Sequence, residues 1–179
     1  MHGMDLSVTV LKHPLIEHKL SILRNRDTDN KLFRATLEEL SYLLVYEITR
    51  DLALRPVQVE TPLAPCPCQQ LAEQVLLVPI LRAGLGMVAG ILNLIPSAKV
   101  GHIGVYRDET TLQPVEYYCK LPPDCEAMRT FVLDPMLATG GSLIHAIARL
   151  KQRGLHRIMV VSIIAAPEGL SALQTAHPD

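Results

Sequence analysis

The sequence is poor in aromatic residues: 49% of its residues are hydrophobic, but only 4% are aromatic and none is tryptophan. Its hydrophobic residues are therefore mostly aliphatic, as in the buried parallel strands of α/β proteins. The chain has 179 residues, which is about the length of one domain of roughly 100–200 residues. We predict a single α/β domain over residues 1–179.

The sequence also lacks an excess of either charge, with 17 basic and 18 acidic residues. Without such an excess there is no general attraction to nucleic acid or to an anionic membrane, so phosphate binding requires a local site. The segment Met1–Asp5 does not have the basic and apolar regions of a signal peptide, and no apolar run reaches the length of a membrane span. We expect a soluble, cytoplasmic protein that binds neither nucleic acid nor membrane.

The four cysteines do not show the paired spacing of zinc modules. Cys66 and Cys68 could form half of a metal site, but Cys119 and Cys125 are six positions apart and have no histidine close by. We interpret them as free thiols on loops.

Hydrophobic periodicity and proline and glycine positions predict alternating helices and strands. The predicted helices cover residues 14–24, 31–52, about 87–95, 142–153 and 167–173, and the predicted strands cover 57–60, 75–81, 99–106, 130–133 and 158–166. This alternation indicates a central, mostly parallel sheet with helices on both faces. Loops 82–86, 107–108 and 134–142 follow strands, so we expect them to meet at the carboxyl edge of the sheet, where such folds bind ligands.

Residues 109–126 are polar and contain three prolines, with a short strand pattern at 115–118. We predict that they form a projecting arm or lid. Such a lid could exclude water during turnover, and a dimer contact is the alternative role.

The segment Thr139-Gly140-Gly141-Ser142 is typical of a phosphate-binding loop. Two glycines allow the backbone to approach a ligand closely, and the N–H groups at a helix start favour an anion. The loop has no lysine, unlike a nucleoside-triphosphate loop, and it lacks the third glycine of a dinucleotide-binding loop. Asp134, just before the loop, can accept hydrogen bonds from sugar hydroxyls. This order suits a ribose 5-phosphate, whereas an ordinary strand-to-helix turn is the alternative.

The segment from Asp134 to Ser142 resembles the phosphoribosyl-diphosphate loop of the uracil phosphoribosyltransferases, in which an aspartate is followed by proline. The segments 79–86 and 106–109 resemble that family's two diphosphate-binding stretches, and 12–15 and 165–169 match it as well. The resemblance implies an enzyme of pyrimidine salvage, a pentosyltransferase that makes UMP from phosphoribosyl diphosphate and uracil.

The resemblance also implies a role for each site residue. Asp134 and Arg107 are the implied catalytic residues, and Arg82 and Arg107 are expected to bind the diphosphate. The implied donor-binding residues are Arg82, Arg107, Asp134, Pro135, Met136, Leu137, Ala138, Thr139, Gly140, Gly141 and Ser142. We expect Mg²⁺ to bind mainly through the diphosphate, with no direct protein ligand. GTP activation and a homodimer or higher homo-oligomer are further implications.

In this family the chain continues past the equivalent of Asp179 with a segment that forms the uracil pocket. We therefore expect the base-binding segment to be absent from this chain, and no residue present is assigned to the base. Two alternatives to the uracil enzyme stay open: a nucleotide-sensing or RNA-binding regulator on the same fold, and a phosphoribosyltransferase for another base. The balanced charge argues against an RNA-binding face.

Overall fold

The computed structural model describes residues 8–107 and 114–179, and of Arg107 it describes only the backbone. Its helices are α1 (Pro14–Arg24), α2 (Asn30–Ile48), α3 (Leu85–Leu94), α4 (Gly141–Gln152) and α5 (Pro167–Ala176). Its strands are β1 (Leu54–Glu60), β2 (Pro65–Leu71), β3 (Val75–Leu81), β4 (Lys99–Val100), β5 (His102–Arg107), β6 (Pro114–Lys120), β7 (Arg129–Leu133), β8 (Met136–Leu137), β9 (Ile158–Val161) and β10 (Ile164–Ala165). In this part of the chain, no helix combines the length and the apolar character needed to cross a lipid bilayer.

A mostly parallel sheet forms the centre of the molecule, as predicted. Its main strands follow the order β6-β5-β3-β7-β9, and β4 also pairs with β3. The pairings β3–β5, β3–β7 and β7–β9 are parallel, whereas β5 and β6 are antiparallel. Because β3, β5 and β7 run in the same direction, the loops that follow them leave the sheet at one edge.

Helices cover both faces of this sheet, which confirms the predicted fold class. Along β3, Leu76, Val78 and Ile80 belong to the core on the side of α4 and α5. Val75 and Leu77 belong to the core on the side of α2 and α3. Successive side chains of a strand point to opposite faces, so this continuous apolar strand serves two cores.

The helix starts follow local signals in the sequence. Pro14 occupies the first turn of α1, and His13 Nδ1 accepts a hydrogen bond from the Leu15 N–H at 3.1 Å. Asp29 caps α2 by accepting from the N–H groups of Lys31 and Leu32. Such caps satisfy N–H groups that have no partner inside the helix.

The proline-rich stretch after α2 was expected to hold one short strand and a loop, but it forms a two-stranded hairpin. β1 and β2 pair in antiparallel register, with Gln58 opposite Pro67 and Glu60 opposite Pro65. Proline is tolerated in such a strand where its missing N–H is not needed for pairing. Cys66 and Cys68 therefore lie in a strand, not in a loop, and Cys119 lies in β6.

The short strand predicted at 115–118, within the predicted arm 109–126, is confirmed. Residues 114–120 form β6, an edge strand of the main sheet that pairs with β5. Tyr117, Tyr118 and Lys120 are exposed and the other residues of β6 are half-buried, as expected at the edge of a sheet. Residues 109–113 lie outside the described part of the chain, so a lid function stays a prediction.

The predicted single strand at 158–166 is divided into β9 and β10. After β9 the chain turns towards the loop that follows β7, where the N–H groups of Ile163 and Ile164 both donate to the Pro135 carbonyl. β10 then pairs with β8 in parallel, with Ala165 opposite Leu137. This small second sheet supports the segment that the sequence identified as a phosphate loop.

Candidate active site

A small cavity lies at the start of α4, where the sequence predicted the phosphate loop. Its volume is about 100 Å³, below the range of about 300–1,000 Å³ for a complete small-molecule site, so it suits a phosphate group and not a whole donor. It is lined by Asp134, Met136, Leu137, Ala138, Thr139, Gly140, Gly141, Ser142 and Leu143. Of the predicted residues 134–142, only Pro135 does not line it.

The two glycines of the loop have different roles. Gly140 has a φ of 85°, a left-handed conformation that favours glycine, and it ends the loop as the N-cap of α4. Gly141 lines the cavity, and apart from its chain neighbours and the backbone of its own helix, no heavy atom lies within 4 Å of a Cβ on this residue. A side chain at Gly141 would therefore extend into open space at the wall of the cavity.

The start of α4 is arranged for an anion. The helix has no side-chain cap and no acidic residue in its first turn. Its first N–H groups have no intrahelical acceptor, and the helix dipole adds positive potential there. A phosphate in the cavity would supply the missing acceptor. Because α3 also starts without a side-chain cap or an acidic first turn, this arrangement does not by itself exclude an ordinary strand-to-helix turn, and phosphate binding stays a prediction.

Asp134 directly follows β7 and is half-buried at the wall of the cavity. Its Oδ1 accepts a hydrogen bond from the Met136 N–H at 3.3 Å, and among the described residues no other hydrogen bond reaches its side chain. It does not cap α4, whose N-cap is Gly140. Burial raises the pKa of Asp134, and the Met136 hydrogen bond only partly opposes this shift.

The raised pKa of Asp134 predicts that Asp134→Asn makes the chain more stable at neutral pH. The native state binds the proton more tightly than the unfolded state, so the free energy of unfolding falls as pH rises through the range between the two pKa values. Asparagine does not titrate, and its Oδ1 still accepts from the Met136 N–H. We expect its advantage to be absent below the ordinary aspartate pKa of about 3.9 and to grow above it. Urea unfolding from about pH 4 to pH 8 measures this dependence.

Asp51→Asn is the matched control and should have the opposite sign. Asp51 accepts hydrogen bonds from Arg129, which lower its pKa. The stability from this pair is present above the ordinary aspartate pKa and is lost as pH falls through the lowered value, so Asp51→Asn should destabilise the chain at neutral pH. An Asp134→Asn advantage that does not change with pH would contradict the burial argument.

The Arg82 loop lies beside Asp134 because β3 and β7 are neighbours. Pro79 pairs with Leu133, so both loops begin at the same height on the sheet. A Cβ at the buried Gly84 would overlap the carbonyl oxygen of Leu133, which shows how closely this loop approaches the end of β7. Glycine at this position therefore brings the two loops together.

Arg82 itself is exposed and follows a cis peptide bond. It does not line the small cavity, so the structure places it next to the phosphate loop and not within it. In the described ranges, no carboxylate pairs with its guanidinium, which stays available for a ligand. Arg107 is the last residue of β5, at the same edge of the sheet, and its side chain lies outside the description.

A larger cavity of about 630 Å³ lies on the other side of the phosphate loop, between α1, β9 and α5. It shares only Leu137 with the small cavity, and neither Asp134 nor Arg82 lines it. It is therefore separate from the predicted donor site.

Sequence reasoning missed two glycines that shape the site. Gly84 entered the sequence analysis only as part of the loop 82–86, and Gly169 only as part of the segment 165–169 that matches the family. A Cβ at Gly169 would overlap the carbonyl oxygen of Ala138 in the phosphate loop. The available signal for Gly169 was a glycine inside the first turn of a helix, where other residues are better helix formers, whereas Gly84 is the N-cap of α3 and gave no such signal.

Comparison with known proteins agrees with this geometry. A family model described as uracil phosphoribosyltransferase matches residues 10–179. The uracil phosphoribosyltransferase of Latilactobacillus sakei subsp. sakei is 59% identical over 172 residues, which are 96% of this chain and 82% of the relative. That of Streptococcus pneumoniae serotype 4 is 57% identical over 173 residues, covering 96% and 83%.

A solved structure of a protein from Aquifex aeolicus has the same fold. It superposes with a TM-score of 0.86 at 42% sequence identity, covering 93% of this chain and 80% of the other. The family model and the two curated relatives each cover nearly all of the present chain, including the Arg82 loop, Asp134 and the phosphate loop. The chain therefore belongs to the uracil phosphoribosyltransferase family.

Proposed function

We propose that this chain transfers ribose 5-phosphate from phosphoribosyl diphosphate to N1 of uracil, giving UMP and diphosphate in pyrimidine salvage. The observation that carries the proposal is the cavity at the start of α4, where the carboxylate of Asp134 and the N-terminal turn of a helix line one small space. The relatives that are 57–59% identical are named for this activity, which favours uracil over another base.

The phosphate loop would hold the 5-phosphate of the donor. The backbone of residues 138–142 and the exposed hydroxyl groups of Thr139 and Ser142 border the cavity. Asp134, which precedes this segment, would accept hydrogen bonds from the ribose hydroxyls. It would do so through Oδ2, because Oδ1 accepts from the Met136 N–H. Hydrogen bonds to a charged acceptor are stronger than neutral ones. The sugar would thus be fixed at two points.

Arg82 and Arg107 would bind the diphosphate, the role that family membership implies for them. Both follow or end strands at the edge of the sheet where Asp134 lies. Bond breaking at the anomeric carbon develops oxocarbenium character, as in glycoside hydrolysis. The leaving diphosphate gains negative charge in this step, and a guanidinium can bind two of its oxygens at once. Asp134 and Arg107 are the proposed catalytic residues.

Mg²⁺ fits this site as an ion held mainly by the substrate. Mg²⁺ keeps several waters and is usually bound through one or two carboxylates together with substrate phosphates. The described ranges contain no cluster of three acidic, histidine or cysteine residues that could hold a metal. Asp134 has one oxygen that does not bind the Met136 N–H, and this oxygen would contact the ion through a bound water. When bound, Mg²⁺ would neutralise part of the diphosphate charge.

The proposal extends to GTP as an activator, to a homodimer or higher homo-oligomer and to a cytoplasmic location. Family membership is the support for these three points. The near-zero net charge supports small-molecule substrates and gives no support for nucleic acid or an anionic membrane surface as a partner.

The test is to incubate the full chain with phosphoribosyl diphosphate, Mg²⁺ and one base at a time, and to measure UMP and diphosphate. We expect UMP from uracil and no product from adenine, guanine or hypoxanthine. A Gly141→Val preparation purified in parallel controls for enzyme carried over from the expression host, because it should form no UMP.

Other outcomes would favour the alternatives. Product from a purine but not from uracil would identify a phosphoribosyltransferase for another base. Binding of the donor without product from any base would favour the nucleotide-sensing regulator or a chain without the family's base-binding segment. The same assay on a chain extended past Asp179 distinguishes these two.

A further inference from the structure

The phosphate loop is supported from behind by the segment that leads into α5. The Pro135 carbonyl accepts hydrogen bonds from Ile163 and Ile164, at 3.2 and 3.1 Å, and the Leu137 carbonyl accepts from the Ala166 N–H at 2.8 Å. The carbonyl groups of Pro135 and Leu137 are therefore bound to the segment that precedes α5. The loop conformation thus depends on a segment that does not itself line the small cavity.

Gly169, in the first turn of α5, continues this line of contacts. It is buried, and a Cβ there would overlap the carbonyl oxygen of Ala138 and lie 3.0 Å from both the Ala138 carbonyl carbon and Leu137 Cδ1. On the other side, the Gly169 carbonyl oxygen would be only 3.1 Å from a Cβ at Gly140. Alanine is the better helix former, so helix formation does not explain a glycine here. Close packing against the loop does.

The contact at Ala138 determines the direction of the next N–H group. In a planar trans peptide the carbonyl and the following N–H point in opposite directions. The Ala138 carbonyl faces α5, so the Thr139 N–H points away from α5. Both Ala138 and Thr139 line the small cavity, so this N–H belongs to a residue at the cavity wall.

α5 cannot easily move away from the loop. Leu173 on α5 packs in the same core as Leu143 and Ile147 of α4. At the end of α5, His177 Nε2 lies 2.9 Å from the Ile144 carbonyl oxygen in α4. A side chain added at Gly169 would therefore displace the Ala138 carbonyl, and the peptide would rotate.

We propose that Gly169 is a positioning residue for the phosphate loop: its lack of a Cβ lets the Ala138 carbonyl lie against α5, which directs the Thr139 N–H at the 5-phosphate of the donor. This inference rests on the proposed function, because the ligand is the phosphate monoester of that donor. Gly169 does not touch the ligand and acts only through Ala138.

The experiment compares Gly169→Ala with Gly90→Ala in the full chain. Gly90 is also a buried helical glycine whose Cβ would meet a carbonyl oxygen, that of Glu38 at 2.6 Å, but it lies between α3 and α2. Calorimetric binding of ribose 5-phosphate and of inorganic diphosphate with Mg²⁺ is measured for both variants, together with thermal unfolding. The Arg82 loop is the proposed diphosphate site, so diphosphate reports on a part of the site that Gly169 does not contact.

We expect Gly169→Ala to weaken ribose 5-phosphate binding about 10-fold or more, as expected for one misdirected hydrogen bond to a charged group. Diphosphate binding should stay within about 2-fold of the original chain, well below the tenfold change that one such bond represents. Gly90→Ala should leave both affinities unchanged even if it lowers the unfolding temperature. Equal loss of both ligands in Gly169→Ala, or no loss of either, would overturn the inference.

Two further results keep the inference distinct from the proposed function. If the original chain does not bind ribose 5-phosphate, the proposed function fails before Gly169 is tested. If Gly169→Ala does not fold, Ala166→Pro replaces it. This substitution removes the N–H that donates to the Leu137 carbonyl, at a φ of −86° that is close to the proline range. The same selective loss of ribose 5-phosphate is expected, and unchanged binding would overturn the inference.

Discussion

Replacement of Gly141 by valine is expected to abolish detectable binding of the phosphoribosyl donor while the chain stays folded. Apart from its chain neighbours and the backbone of its own helix, no heavy atom lies within 4 Å of a Cβ at this position, so we expect the fold to accommodate the larger side chain. It would instead occupy space in a cavity of only about 100 Å³. This variant should therefore lose donor binding while its unfolding temperature stays close to that of the original chain.

The size of the effect follows from the contacts that would be lost. Each hydrogen bond to a charged group contributes about 1.5–3 kcal/mol, and the proposed 5-phosphate would receive several from the loop. Loss of two such bonds weakens binding by about 150-fold or more. Calorimetry with ribose 5-phosphate measures the loss, and circular dichroism during heating checks the fold.

Gly141→Ala provides an intermediate step, because its single methyl group fills less of the cavity. We expect a smaller loss of affinity from alanine than from valine and no loss of stability from either. Donor binding by Gly141→Val at the original affinity would show that the 5-phosphate lies elsewhere.

Asp134→Asn is expected to lower the rate of UMP formation by about 10- to 100-fold and to leave the binding of inorganic phosphate in the loop within a few-fold of the original value. The one oxygen of asparagine accepts from the Met136 N–H, so an uncharged amide nitrogen replaces the oxygen that is proposed to bind the ribose hydroxyls. This nitrogen cannot accept a hydrogen bond, and a charge-assisted bond is therefore lost. The 5-phosphate contacts come from residues 138–142 and should persist. Initial rates at saturating uracil and donor, together with calorimetry, separate the two effects.

The predicted stability of Asp134→Asn shows whether a lower rate could result from unfolding. Since burial raises the pKa of Asp134, the asparagine variant should be at least as stable as the original chain at neutral pH, and a lower rate could not be explained by unfolding. Asp51→Asn should keep its rate despite a loss of stability, because Asp51 pairs with Arg129 outside the site. UMP formation by Asp134→Asn at the original rate would refute the role of Asp134.

The predicted elements that the structure confirms are those with strong local patterns. Strand β3 and helix α1 have the predicted bounds, since a short apolar run and a proline at a helix start are local features. β2 was missed because Pro65 and Pro67 argue against a strand unless it is known to lie at an edge. The division at 162–163 was missed because it depends on the Pro135 carbonyl, which is distant in sequence.

The residue pattern of the chain predicts the chemistry of the proposed donor site: a carboxylate at the end of a strand, then two glycines, then the start of a helix. These features lie within the nine consecutive residues 134–142, so they can be identified without knowing the rest of the fold. Three features of the site depend on the tertiary structure. Asp134 is half-buried and has a raised pKa. Gly84 allows the Arg82 loop to pack against the end of β7, and Gly169 orients the Ala138 carbonyl. The physical reason is that burial and close backbone contact arise between segments far apart in the chain, which no local pattern contains.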